Sequence, residues 1–175
     1  MNVSNNIESD DVKVESKYFS VSTSKLVIMS ICTLGLYEIY WFYKNWEHIK
    51  HQEQSNIMPF WRAFFAMIWA YSAFDYIRKN LGEEGLNTAL YAGLAAIAFF
   101  VLNIMTRLPD PYWLVSFLSF LTLIPANNAI TKINQKSDNN FIQNGSIKSW
   151  NWLAVALGGP FFALVAIEVF FFPQT

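Results

Sequence analysis

Glu38 and Glu168 are the ionisable side chains set deepest in apolar sequence, the first in LGLYEIYWFY and the second in FFALVAIEVFF. A carboxylate in lipid must pair, reach water or take up a proton, so each marks a candidate intramembrane polar site. If the stretches that hold them cross in parallel, both fall in the same half of the bilayer and a shared site becomes possible. The plainer reading puts each at an interface, because Glu38 lies five residues before Tyr43 and Glu168 four before Phe172. His48 and His51, with Glu47 and Glu53 nearby, share a helical face in KNWEHIKHQEQ. A metal needs a third or fourth ligand, and zincin histidines stand four apart, so an amphipathic helix along the membrane surface is the simpler reading. Asp75 and Arg78 pair locally at i,i+3, and Arg62 can snorkel to the headgroups. No Walker loop, GxSxG elbow, paired CxxC or HExxH occurs in the chain. No catalytic, cofactor-binding or metal-ligating residue is therefore assigned, and the expectation is a protein that is not an enzyme and carries no cofactor.

The elements that must position these residues are hydrophobic. Apolar residues make up 54% and charged residues 14% of the 175-residue chain, against roughly 45–50% and about 25% in a soluble domain. Five apolar stretches run Leu26–Tyr43, Phe60–Ile77, Leu86–Thr106, Tyr112 to about Ile130, and Trp152–Phe172. These lengths approach the ~20 residues that cross a bilayer as a helix. The expected fold class is all-α, a polytopic transmembrane helical bundle of about five spans, the first either crossing or re-entrant or interfacial. Residues 1–22 read as a polar disordered tail and 23–173 as one transmembrane helical domain. The polar stretch Lys132–Lys148 reads as an exposed loop with a turn at Asn144-Gly145. Cys32, the lone cysteine, can form no intrachain disulfide.

Small residues mark how the spans pack. Ala63, Ala66, Ala70 and Ala73 line one face of the second span, with similar small pairs in the third and fifth, and such faces let backbones approach closely in lipid. Ser116, Ser119 and Thr122 form a hydroxyl stripe in the fourth. Pro125 and Pro160 each remove a backbone donor, so the last two spans should kink. Gly158-Gly159-Pro160 is the candidate hinge, and a static kink that serves packing is the commoner alternative. Aromatic rings gather at the span ends, as a headgroup belt would have them.

Charge sets the orientation. With five crossings, Lys13, Lys17, Lys25, Arg78, Lys79, Lys132, Lys136 and Lys148 lie on one side, against Lys44, Lys50, Arg62 and Arg107 on the other. That bias puts the N-terminus in the cytoplasm. If the first stretch dips in and returns, Lys13, Lys17, Lys25, Lys44, Lys50, Arg62 and Arg107 share a side instead. The net charge of −1 offers no basic field for nucleic acid. The expected partners are the lipid bilayer and either a second copy or another membrane protein.

The run TLGLYEIYWFYKNW resembles a family of small bacterial inner-membrane proteins that share a Gly-Leu-Tyr-x-x-Tyr-Trp-Phe-Tyr signature. Here it comprises Gly35, Leu36, Tyr37, Tyr40, Trp41, Phe42 and Tyr43, and the pieces LIPANNAITKIN and SWNWLAVALGG are also similar. The resemblance implies a multi-pass protein of the bacterial inner membrane and brings no activity, cofactor or site residue. Together these readings lead to a non-enzymatic accessory, structural or regulatory envelope protein. The alternative is a small oligomeric transporter or channel using Glu38 and Glu168.

Overall fold

A computed structural model describes residues 16–146 and 149–171. Its helices are α1 (Thr23–Cys32), α2 (Leu36–Glu53), α3 (Pro59–Phe64), α4 (Ala66–Glu83), α5 (Ala92–Ile104), α6 (Phe120–Ser137) and α7 (Ser149–Phe171). Two 3₁₀ segments, Met105–Arg107 and Tyr112–Ser119, lie between α5 and α6. Among the described residues the only extended pairing is an isolated bridge between Val21 and Asn144. The all-α class is as expected.

Five continuous spans are not. Among the described residues, only Tyr112–Ser137 and Asn151–Val169 are helical stretches long and apolar enough to cross a membrane. The first expected span is cut after Cys32. Leu34 and Gly35 take positive φ angles of 52° and 86°, and the Gly35 amide donates back to the Ser30 carbonyl, closing α1 as a left-handed C-cap does. Ten residues of α1 make about 15 Å of helix, half a hydrocarbon core. The second expected span breaks at Phe65, between α3 and α4. The third shortens to the 13 residues of α5, about 20 Å. Hydrophobic content is continuous through these stretches, but helical hydrogen bonding is not.

Only the last part of the expected tail, residues 16–22, lies within the described structure, and it is not disordered. Residues 1–15 lie outside the described part, whereas Ser16–Ser22 runs as a non-helical strap into the core, with Tyr18 and Val21 fully buried. A buried backbone that is in neither helix nor sheet needs partners for its N–H and C=O groups. Two asparagines one heptad apart on α6 provide them. Asn134 Oδ1 accepts from the Tyr18 amide at 2.9 Å, and its Nδ2 donates to the Tyr18 carbonyl at 2.8 Å. Asn127 repeats this on Val21, accepting at 3.1 Å and donating at 2.6 Å. Each side-chain amide stands in for a neighbouring strand's peptide group. From the other side, Asn45 of α2 donates to the Phe19 carbonyl at 3.1 Å. Asn127 Oδ1 also accepts from the Trp41 indole at 3.2 Å, joining strap, α2 and α6 at one atom.

The strap fixes the course of the chain. Because the Phe19 ring meets Tyr40 and Asn45 reaches the Phe19 carbonyl, α2 returns past the segment that leads into α1. Gln52, near the end of α2, donates to the Lys17 carbonyl. Lys17 Nζ lies 2.9 Å from Glu84, which also pairs with Lys136, and the Tyr76 hydroxyl donates to Glu53 at 2.6 Å. The Lys17 ammonium holds the Glu84 carboxyl below its usual range. Strap, α2 end, α4 end and α6 end thus share one polar pole. Five alternating crossings would have put Gln52 opposite Lys17, so that arrangement is corrected.

The core fills the space between. Phe42 packs on Phe74 and Phe99 at 5.8 and 5.3 Å between ring centres, and Ala63, Ala66, Ala70 and Ala73 form the buried face anticipated for their stretch. Asn127→Ala removes the acceptor for two buried donors, the Val21 amide and the Trp41 indole. It should cost about 2 kcal/mol or more, while Asn128→Ala, at an exposed position, should stay within about 0.5 kcal/mol. Unfolding of both variants in detergent micelles measures the difference.

Candidate functional site

The signature residues build the first turns of α2. Gly35, in the left-handed conformation, starts the helix. Thr33 Oγ1 bridges the break, donating to the Met29 carbonyl at 2.7 Å and accepting from the Tyr37 amide at 2.9 Å. Tyr37, Trp41 and Phe42 turn inward, while Leu36 and Tyr40 are exposed. Tyr43 sits at the edge and donates to Glu47 at 2.6 Å. This face continues through Asn45, Trp46 and Ile49, the i,i+4 spacing of a helix buried on one side.

Glu38 shares the inward face and is only 4% exposed. The Ser119 hydroxyl, in the 3₁₀ segment, donates to its Oε1 at 2.8 Å. Among the described residues that is its sole hydrogen bond, and none of their Lys, Arg or His side chains forms an ion pair with it. A cavity of about 540 Å³ adjoins it, walled by Ile39, Phe64, Met67, Phe99, Trp113 and Phe117. Asn103, Thr106 and Ser116 add polar groups, and the lining includes no basic residue. The exposed Leu34, Leu36 and Phe64 form its rim. This is a concave, mostly apolar site with few polar groups, the usual make-up of a small-molecule pocket.

Other expected residues lie elsewhere. Glu168 is exposed on α7 and is not part of the cavity, so the two glutamates are not brought together. Helix α7 continues through Gly158, Gly159 and Pro160. A Cβ on Gly158 would run into the Cys32 carbonyl oxygen, whereas one on Gly159 would rest 3.8 Å from Cys32 Sγ. Gly158 is therefore where α7 meets the end of α1. His48 and His51 line a shallow hollow with Ser16, Lys17 and Ser137. Among the described residues no three His, Cys, Asp or Glu side chains gather to hold a metal. Arg62 lies over both Trp46 and Trp69, 4.5 and 4.4 Å from the ring centres, a cation–π sandwich. Sequence reasoning found Glu38 and the hydroxyl stripe separately and did not join them, and it missed Asn103 and the clamp residue Asn134.

Compared with known protein families, curated proteins and solved structures, the chain finds no match.

In a helix interior, glycine to alanine ordinarily stabilises by about 1 kcal/mol. At Gly158 the sign should reverse, because Gly158→Ala must push α7 off the Cys32 backbone, whereas Gly159→Ala should be neutral or stabilising. Thermal unfolding, with the rate of maleimide attack on the half-buried Cys32 thiol as a second reading, distinguishes the two variants.

Proposed function

We propose that this chain is a bilayer-embedded, non-enzymatic protein of a bacterial inner membrane, with an accessory, structural or regulatory role. The observation that carries the reading is α7, whose apolar window Asn151–Val169 has none of its described residues buried in the bundle. Water is a poor solvent for such a surface and lipid a good one. Exposed Phe65, Ile68, Leu94, Ile97, Phe100 and Ile104 on α3–α5 and their junctions extend the same character. The Gly35–Tyr43 signature supports the bacterial inner membrane. The gathering of Lys17, Lys79 and Lys136 at the polar pole favours a cytoplasmic pole with the N-terminal side inside. In this reading the chain enters the membrane from that pole by α1, turns at Leu34–Gly35 and returns by α2.

A small oligomeric transporter or channel is the second reading, favoured by Glu38 lining a cavity. It would have to work with Glu38 alone, since Glu168 stands apart.

Single cysteines at Gln52, Glu83 and Lys136, in a Cys32→Ser background, should all react with an impermeant maleimide from the cytoplasmic side, and one at Arg107 should not. Reaction of the Gln52 position from the opposite side to the other two would contradict the proposal.

A further inference from the structure

We propose that the cavity beside Glu38 binds a hydrophobic organic cation, an ammonium group joined to a hydrocarbon or aromatic body. The inference rests on the reading that this end of the molecule lies in lipid, and it adds the ligand class. One oxygen of Glu38 is occupied by Ser119, and the other makes no hydrogen bond or ion pair among the described residues. A buried carboxylate without a counter-ion is a strong asymmetry in a low-dielectric setting, attracting cations and rejecting anions. The surrounding walls choose among cations. A small hydrated metal ion needs several oxygen ligands, whereas here Phe64, Phe99, Trp113 and Phe117 dominate. Ring faces attract an alkylammonium and tolerate the carbon skeleton attached to it. Asn103 supports the same preference. Its Nδ2 is committed to the Phe99 carbonyl at 2.9 Å, which leaves its carbonyl oxygen as an acceptor. A volume of about 540 Å³ accommodates the head and several carbons of such an amphiphile.

Two sources could supply this chemistry, the amine of a phospholipid headgroup or a free lipophilic amine. The experiment uses full-length protein in maltoside micelles with radiolabelled decyltrimethylammonium as probe. Saturable binding should be displaced by unlabelled probe but not by decanoate or decanol. Glu38→Gln preserves shape and an acceptor for Ser119, and it should weaken binding at least tenfold. Glu168→Gln should leave binding unchanged, and Trp113→Leu should weaken it several-fold. Displacement by phosphatidylethanolamine and not phosphatidylglycerol assigns the headgroup amine as the occupant, and displacement by neither assigns a free amine. Equal binding by wild type and a folded Glu38→Gln variant, or no saturable binding by wild type, overturns the inference while leaving the membrane reading intact. A chain that stays monodisperse in buffer without detergent overturns both.

Discussion

The constraint on which the structure depends is the hydrogen bonding of a strap buried without a sheet among the described residues to pair it. Tyr18, Phe19 and Val21 carry peptide groups that would each be costly to bury unpaired. Asn127, Asn134 and Asn45 meet that need with side-chain amides, whose donor and acceptor are spaced like those of a peptide unit. Since these bonds also hold Trp41, removing the strap would expose unsatisfied groups on α2 and α6. Strap, α2 and α6 form one unit.

That unit explains where the chemistry lies. Strap and α2 run side by side, so the Leu34–Gly35 turn falls at the far end from the Lys17–Glu84 pair. The opening turn of α2 then sets Glu38 against Ser119 at the foot of α6. Polar contacts close one pole, and at the other Glu38 stands beside an aromatic-walled cavity. Close packing of Gly158 on the Cys32 backbone brings α7 to the same end, and its Phe162 meets Phe117 of the cavity wall at 5.0 Å.

Much of this was legible in the residues. The alanine face of α4 follows from spacing, and the isolation of Glu38 in apolar sequence marks it before any fold is known. The hydroxyl stripe was visible as spacing, and one of its members, Ser119, bonds across to Glu38 of α2. What composition could not convey is continuity. A run such as Leu26–Tyr43 has the apolar content of a span, yet a positive φ at Leu34 and Gly35 divides it, and only the Gly in that pair signals the turn. At Phe65 no Gly or Pro marks the break. The strap was opaque for a different reason: Tyr-Phe-Ser-Val has no helical period, and its asparagine partners on α6 lie more than a hundred residues away.

Ser20 sits in the strap and is only 4% exposed, so its accessibility tests the clamp directly. A Ser20→Cys substitution in a Cys32→Ser background introduces one small thiol there with little change in volume. Maleimide modification of the native protein in micelles should be at least a hundredfold slower than modification after unfolding. Reaction at the unfolded rate under native conditions would mean that the strap is not seated, and the account of α2 and Glu38 built on it would fail.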